Sequence, residues 1–254
     1  MDCGFRSPLI DFFRRGEVAR DVRLLAAQGA LAPRAHEQLA LLILLSDDPD
    51  PLIAVSASAT LDSLPVEPLR AFLARSDVPA EMRAFFAARG VTASATPAGD
   101  ADLPLVDADQ APEPEEEDDG KADPQILSSL PIIERMKLAM KGTRAQRAQL
   151  IRDSNKLVAA AVLSSPKLTE VEVESFARMA NVSEETLRTI ATNRSWVKNY
   201  GVVAGLTKNP KTPVALAMRF LQRLNERDLK TLSIDRNVPE PVRIAARKYI
   251  LKQL

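Results

Sequence analysis

Two stretches of the C-terminal half, Leu187–Ser195 (LRTIATNRS) and Leu229–Asn237 (LKTLSIDRN), lie 42 residues apart and repeat one pattern. Leu, Thr and Arg are identical at three matching positions, and most other positions are conservative. A period of this length is typical of proteins built from stacked helix pairs, in which each amphipathic unit needs a neighbour to complete its core. The repeat therefore predicts an all-α fold for residues 126–254.

The N-terminal region, residues 1–90, contains a shorter and more degenerate repeat. Pro68–Arg75 (PLRAFLAR) resembles Glu81–Arg89 (EMRAFFAAR), and each is associated with a proline suited to the first turn of a helix. Ser46–Pro51 (SDDPDP) and Ser76–Pro79 (SDVP) also match, and an aspartate in each can cap the helix that follows. We expect a second helical-repeat domain here, with units of about thirty residues.

Several of these motifs resemble the HEAT and armadillo-like class of helical repeats. The resemblance is carried by Asp48–Leu61 (DPDPLIAVSASATL) and Val238–Ile250 (VPEPVRIAARKYI), which look like the second helix of such a repeat. With Asn193–Pro213 (NRSWVKNYGVVAGLTKNPKTP), the C-terminal half is also similar to helical-repeat domains of uncharacterised bacterial proteins, often found beside signalling modules. The resemblance implies two short HEAT-like α-solenoid modules and a role in bacterial signalling or regulation.

Residues 91–125, between the two domains, have the composition of a disordered acidic linker. They are rich in Pro, Ala and acidic residues and poor in large apolar ones, so they cannot bury enough surface to offset the entropy of ordering. The segment has 11 acidic residues and one basic residue, whereas 126–254 has 23 basic and 11 acidic residues. The charge distribution thus predicts three pieces: domain 1–90, linker 91–125 and basic domain 126–254.

The acidic run 107–119 leaves two roles open. It is a solubilising spacer, or it lies on the basic domain and competes with an acidic partner, in which case deleting 107–119 raises the affinity for polyanions. Both interpretations follow from charge alone.

Motifs that carry catalysis or bind cofactors are absent from the sequence. Cys3 and His36 are the single cysteine and histidine, so the three or four nitrogen and sulfur ligands of a zinc site are lacking. No glycine pattern of a phosphate loop, a dinucleotide site or a nucleophile elbow occurs. We expect no enzyme, no metal and no cofactor, and we expect His36 to be structural or solvent-facing on a helix that begins near Pro33.

The compartment is predicted from two further features. The longest apolar run, Leu39–Leu45, falls far short of the roughly 20 residues that span a membrane. A single cysteine fits a reducing compartment. We expect a cytoplasmic protein without a membrane partner.

Three arginines are the first candidates for partner binding. Arg152, Arg194 and Arg236 share one position of the 42-residue period. Equivalent positions of successive repeats line one strip, where arginines could bind an extended acidic segment by charge-assisted hydrogen bonds. The alternative is that each arginine pairs with a neighbouring acid or caps the carbonyls of its own helix.

Trp196 and Tyr200 are the second candidates. They lie four residues apart, so on one helix they would share a face with Val203. Core packing between repeats is one interpretation. The other is a recognition platform of Trp196 and Tyr200 that is flanked by Arg194, Lys198 and Lys208. With core packing, Lys208–Pro213 (KNPKTP) is predicted to be the turn that joins helix pairs, because Pro210 holds Asn209 out of the helical region.

These observations favour a non-catalytic scaffold or adaptor that binds a protein with an acidic surface or segment. The alternative function is nucleic-acid binding by the basic C-terminal domain, since Lys and Arg contacts to phosphates dominate such affinity. Aromatic side chains for base stacking are scarce, at 4% of the chain, which favours the scaffold.

Overall fold

A computed structural model describes residues 3–32, 34–97, 99, 102–106 and 124–253. Within these residues the chain forms sixteen α-helices and two 3₁₀ turns, and no strand occurs. The prediction of an all-α protein is therefore confirmed.

The helices of the first half, and those that lead into the second, are α1 (Pro8–Arg14), α2 (Arg20–Ala27), α3 (Ala35–Leu45), α4 (Pro51–Asp62), α5 (Val66–Leu73), α6 (Ala80–Ala88), α7 (Pro124–Ser129) and α8 (Ile132–Lys141). They are followed by α9 (Arg144–Leu150), α10 (Lys156–Leu163), α11 (Glu170–Arg178), α12 (Glu184–Thr192), α13 (Tyr200–Lys208), α14 (Val214–Phe220), α15 (Glu226–Ile234) and α16 (Glu240–Gln253). The 3₁₀ turns are Trp196–Lys198 and Leu221–Arg223.

The described residues form two compact units. The first takes in the described parts of Met1–Asp118 together with Pro131–Gly142 and Ser164–Pro166, and the second those of Asp119–Leu130, Thr143–Leu163 and Lys167–Leu254. The chain therefore returns to the first unit after residue 126, where the sequence predicted a single break. The two later segments of the first unit are joined by a hydrogen bond, in which the Ser165 hydroxyl donates to the Met140 carbonyl at 2.8 Å.

Helix α3 is the centre of the first unit. Its sequence, AHEQLALLILL, is apolar on every side after the first turn, and a helix of that kind has to be buried. Ten of its eleven residues are buried, and α1, α2 and α4 pack around it. Three consecutive polar residues, His36, Glu37 and Gln38, are buried in its first turn.

The repeated pattern of the N-terminal region reappears in the packing of α5 and α6. Leu69 and Leu73 of α5 are buried, as are Met82 and Phe86 at the matching positions of α6. Asp50 caps α4 as predicted, by accepting from the Leu52 amide at 3.0 Å. The second predicted cap does not form, because Asp77 instead binds Arg75 at 2.7 Å.

The 42-residue period of the second unit separates the first residues of two helices of equal length. Both α12 and α15 have nine residues, and their first residues, Glu184 and Glu226, lie 42 positions apart. Ser183 and Asn225 precede them as side-chain N-caps. Leucines and isoleucines at the matching positions of both helices are fully buried.

Helices of the second unit pack on their second neighbours along the chain: α10 contacts α12, α11 contacts α13, α13 contacts α15, and α14 contacts α16. The α11–α13 pair runs parallel, because contacts join both of its ends. Asn199 reaches Glu170 at the N-terminal end (3.4 Å), and Asn209 donates to the Ala177 carbonyl at the C-terminal end (2.9 Å). Turns after α11 and α13 therefore lie at one edge of the unit, and the turn after α12 lies at the opposite edge.

A buried ion pair connects α9 with the start of α11. The Arg147 guanidinium donates to both carboxylate oxygens of Glu172, at 2.9 and 3.1 Å, and both residues are buried. Glu172 also accepts from the Thr169 amide at 3.0 Å, which closes a capping box at the start of α11. Burial opposes the charge of Glu172, but the Arg147 and Thr169 donors outweigh it and hold the pKa below its usual range.

The first part of the predicted linker differs from the expectation of disorder. Its described residues lie on the first unit, where the Ser94 amide donates to the Arg70 carbonyl and the Arg75 guanidinium donates to the Gly99 carbonyl, both at 3.0 Å. Composition does not show these contacts, since polar groups of the folded unit, and not apolar side chains, hold the segment. The predicted acidic run 107–119 lies outside the described residues.

Among the helices that the structure describes, none combines the length and the apolar character required to cross a bilayer.

Candidate functional site

A polar groove of about 670 Å³ runs along α13, between α11 and α15 of the second unit. Its floor consists of small residues, Gly201, Ala204 and Gly205. The walls carry charged side chains, including Lys208 of α13 and Asp228 of α15. The groove thus has room above α13 because that face of the helix has almost no side chains.

Two glycines allow α11 to approach α13 closely. A Cβ atom on Gly205 would lie 3.1 Å from the Cβ of Ala177, tighter than ordinary packing. A Cβ atom on Gly201 would collide with the Glu174 carboxylate. The spacing of four residues puts both glycines on one face of α13, where both contribute to the groove floor and Gly205 sets the distance to α11.

Three side chains form a hydrogen-bonded cluster in the groove. Asp228 accepts from the Lys208 ammonium at 2.7 Å and from the Tyr200 hydroxyl. The Tyr200 oxygen in turn accepts from the Asn225 amide at 3.2 Å. Lys208 and Tyr200 hold the pKa of Asp228 below its usual range, whereas burial and the Asp228 charge raise the pKa of Tyr200.

These pKa shifts limit the chemistry of the groove. Asp228 stays ionised and has donors on both oxygens, so it is a poor proton acceptor near neutral pH. Tyr200 keeps its proton and is a poor nucleophile. General acid–base catalysis needs a group whose pKa lies near the working pH, and this cluster instead offers fixed donors and acceptors for binding.

The C-terminal rim of the groove is a hydrogen-bonded turn. Asn209 is buried and donates to the Ala177 and Met179 carbonyls at 2.9 and 3.0 Å, while its side-chain oxygen accepts from the Lys211 amide at 3.0 Å. Its backbone is extended, with ψ of 124°. The prediction that Lys208–Pro213 forms the turn between two helices, with Asn209 held out of the helical region, is therefore confirmed.

The structure places the three predicted arginines in turns that follow α9, α12 and α15. Arg194 and Arg236 are equivalent: each follows the residue, Asn193 or Asp235, whose side chain accepts an amide two positions on, at 3.0 and 2.9 Å. Arg152 instead precedes the corresponding residue, Asp153. Its guanidinium donates to the Ala148 carbonyl of its own helix at 3.0 Å, as the capping alternative expected.

The three arginines do not line one strip. Arg236 follows α15, in the turn whose Asp235 and Asn237 line the groove together with Asn209 at the C-terminal end of α13. Arg194 follows α12 and lies at the opposite edge. The reason is that the 42-residue period spans three helices, α12 to α14, so each step of one period exchanges the two edges.

The edge that contains Arg194 gathers further basic side chains. The turn after α12 carries Arg194 and Lys198, and Arg223 follows α14. The Arg223 guanidinium reaches the Lys198 carbonyl at 3.5 Å, the limit of a hydrogen bond, which brings the two turns together. We call these three residues, with the half-buried Trp196 between them, the basic edge.

Trp196 and Tyr200 do not share a helix face, as the sequence spacing had suggested. Trp196 lies in the 3₁₀ turn, and α13 begins at Tyr200 after the N-cap Asn199, whose side chain accepts from the Gly201 amide at 2.8 Å. Tyr200 is 41% exposed in the groove, whereas Val203 is fully buried. The N-cap separates the two aromatic residues into different elements, one at each site.

Sequence reasoning missed Asp228, Tyr200 as a groove residue, and Arg223. A signal existed for the groove, since two glycines four residues apart in a helix indicate close helix packing. Arg223 had none, because its role depends on which turns lie at the same edge.

The chain matches no protein-family model, no curated protein and no solved structure.

Proposed function

We propose that this protein is a non-catalytic interaction scaffold whose second unit binds acidic segments of partner proteins at the basic edge. In this proposal each unit is a short α-solenoid of stacked helix pairs. Contacts between second-neighbour helices of the second unit and the parallel α11–α13 pair support that arrangement, because stacked pairs bring such helices together. The turns of such a stack present repeated, solvent-exposed side chains to a partner.

Uncompensated positive charge carries the proposal. Six carboxylates of the second unit each hold a lysine or arginine: Glu172, Glu174, Glu184, Glu185, Glu226 and Asp228. Within the described part of the chain, Arg194, Lys198 and Arg223 form no ion pair with a carboxylate, and all three are exposed. Charge of one sign on adjacent turns attracts and orients a partner of the opposite sign.

An acidic protein segment fits this edge better than a nucleic acid. Three cations on two adjacent turns match a few carboxylates of an extended chain, and arginine holds carboxylates by paired hydrogen bonds. Single-stranded nucleic acid is bound on exposed aromatic side chains, whereas Trp196 is half-buried and is the one aromatic residue of the basic edge.

The test uses the full chain and a fluorescent deca-glutamate peptide, with binding followed by anisotropy at several salt concentrations. The triple variant R194E/K198E/R223E is expected to weaken binding by about tenfold or more, and the loss should shrink as salt rises. A 20-base-pair duplex serves as the second probe.

The matched control is R144E/K211E/K248E, which changes the net charge by the same amount at exposed positions elsewhere in the second unit. Equal losses in both triple variants would show a general charge effect and overturn the basic edge as a site. Tighter binding of the duplex than of the peptide at physiological salt would assign the site to nucleic acid.

A further inference from the structure

Residues 102–106 (DLPLV), which we call the strap, lie across the N-terminal end of α3 in the first unit. None of them belongs to the buried core, and Leu103 is 70% exposed. The strap is therefore held in the manner of a bound peptide, by its main chain and by one acidic side chain, rather than by burial of its own apolar residues.

Gln38 of α3 binds the main chain of the strap. Its amide nitrogen donates to the Val106 carbonyl at 2.8 Å, and its oxygen accepts from the Leu105 and Val106 amides at 2.7 and 3.0 Å. A fourth bond, to the Gly29 carbonyl at 2.9 Å, fixes the orientation of the amide. Main-chain hydrogen bonds of this kind give affinity for any extended segment, and flanking contacts give the specificity.

Asp102 supplies the first specific contact. Helix α3 has no side-chain cap of its own, because Arg34 occupies the N-cap position. Asp102 takes that role, accepting from the His36 amide at 3.3 Å while its other oxygen lies 3.0 Å from Nδ1 of His36. Burial works against its charge, but the His36 donors prevail and hold the pKa of Asp102 below its usual range. A helix N-terminus selects an acidic group here.

The remaining contacts shape the site around His36 and Gly29. His36 is 4% exposed, is stacked on the Phe5 ring, and has an Nε2 atom without a hydrogen bond, 3.8 Å from the Asp77 carboxylate. At the other end, a Cβ atom on Gly29 would lie 3.3 Å from the Val106 side chain, so glycine makes the room that Val106 fills. Two buried polar side chains on a core helix are costly unless a polar ligand satisfies them.

We propose that Gly29, His36 and Gln38 form a peptide-recognition site for an extended segment of the form Asp-x-x-x-Val, and that the strap is its resident, exchangeable ligand. A segment of the same chemistry on a partner protein competes for the site. Because the strap belongs to the same chain as the site, its effective concentration there is about millimolar. The strap therefore occupies the site until a segment that binds more tightly displaces it. The site lies in the first unit and does not depend on the basic edge.

The test replaces residues 99–106 of the full chain by a Gly/Ser segment of equal length and adds a labelled peptide with the sequence of residues 99–108, GDADLPLVDA. Anisotropy should show saturable binding to the replaced chain and at least about tenfold weaker binding to wild type, whose site is filled. Adding Gln38→Ala to the replaced chain, or Asp→Asn at the position of Asp102 in the peptide, should each weaken binding by about tenfold. Gln28→Ala, on the exposed end of the neighbouring turn, is the matched control and should bind normally.

Two outcomes overturn the proposal. If the replaced chain is folded by circular dichroism and does not bind the peptide, no recognition site exists there. If the replaced chain unfolds, the strap is an integral part of the first unit and is not exchangeable. A concentration-dependent dimer of wild type that disappears on strap replacement would assign the site to a second copy of the chain, not to a partner protein.

Discussion

Glu37 is a carboxylic acid in the interior of the first unit, only 2% exposed. Burial raises its pKa, and the hydrogen bond from Ser7 and the positive charge of Arg34 only partly oppose that effect. One of its carboxylate oxygens has no hydrogen-bond partner. The charged form of this side chain is therefore disfavoured in the folded protein and is freely hydrated in the unfolded chain.

The substitution Glu37→Gln tests this assignment through the pH dependence of stability. Because the folded pKa lies above the ordinary value of 4.5, wild type loses stability as the pH rises from the unfolded pKa through the folded one. Glutamine does not titrate. Between pH 4 and pH 8 the free energy of unfolding of the variant should therefore rise relative to that of wild type by about 1–3 kcal/mol, the cost of a buried polar group without its partner. Urea unfolding at several pH values measures the difference.

The matched control is Glu67→Gln, which removes the same charge from a side chain that is 80% exposed on α5. Its stability relative to wild type should stay nearly constant with pH. Parallel pH profiles for wild type and Glu37→Gln would show that Glu37 is not held in its neutral form.

Glu172 differs from Glu37, because its pKa is lowered although the residue is buried. Its exposure is also 2%, yet two bonds from Arg147 and two from Thr169 hold its pKa below the usual range. Low exposure alone therefore does not decide the state of an acid, and a direct hydrogen-bonded pair with a guanidinium favours the ionised form. The spacing of Thr169 and Glu172 is that of a capping box and can be read from the sequence, but the bond to Arg147 cannot, because it forms only through the packing of α9 on α11.

Among the elements, the contact between α11 and α13 makes the sharpest prediction. Gly205→Ala should lower the free energy of unfolding by about 1–3 kcal/mol, since the Cβ atom of Ala177 sits on a rigid helix 3.1 Å from the new methyl group. Gly201→Ala should instead be neutral or stabilise by up to about 1 kcal/mol, because alanine favours the helix and the clashing Glu174 carboxylate can rotate away.

Gly201→Ala is the matched control for Gly205→Ala, since both substitutions add one methyl group to the same face of the same helix. Denaturant unfolding of the two variants measures the difference, with the Gly205 variant the less stable. An equal effect at both positions would mean that the helices are not held at the distance that the glycines indicate.

The ends of helices were predictable from sequence where a local side chain determines them. Asp50 caps its helix as expected, and Pro210 keeps Asn209 in the extended turn. These signals work because the deciding atoms lie within about four residues of each other. The same logic failed between Trp196 and Tyr200, where the side chain of Asn199 starts a new helix inside an apparently continuous pattern.

Contacts between distant segments were not predictable. Gln38 and Val106 are 68 residues apart, and neither stretch has a sequence feature that predicts contact with the other. Arg194 and Arg236 were placed at equivalent repeat positions, but a period of three helices puts equivalent turns at opposite edges. The length of a repeat can be read from a sequence. Whether equivalent residues line one strip depends also on the number of helices in each repeat, which the sequence period does not show.

On the scale of the whole molecule, the two proposed sites belong to different units, and the strap anchors the chain directly before the acidic run 107–119. That run carries eight acidic residues and no basic one. Its charge opposes that of residues 126–254, which carry 23 basic and 11 acidic side chains. An acidic tether and an acidic partner would therefore compete for the same basic side chains, in proportion to their local concentrations.

Deleting 107–119 should raise the affinity of the full chain for the deca-glutamate peptide several-fold at low salt, because a tethered competitor is removed. At physiological salt, where the screening length is about 8 Å, the gain should shrink. A second variant, with the eight acids of the run changed to Ser or Asn, keeps the tether length and should show the same gain. Anisotropy titrations measure both. If neither variant binds the peptide more tightly than wild type, the run is a solubilising spacer; a gain from deletion alone would mean that tether length, not charge, controls access to the basic edge.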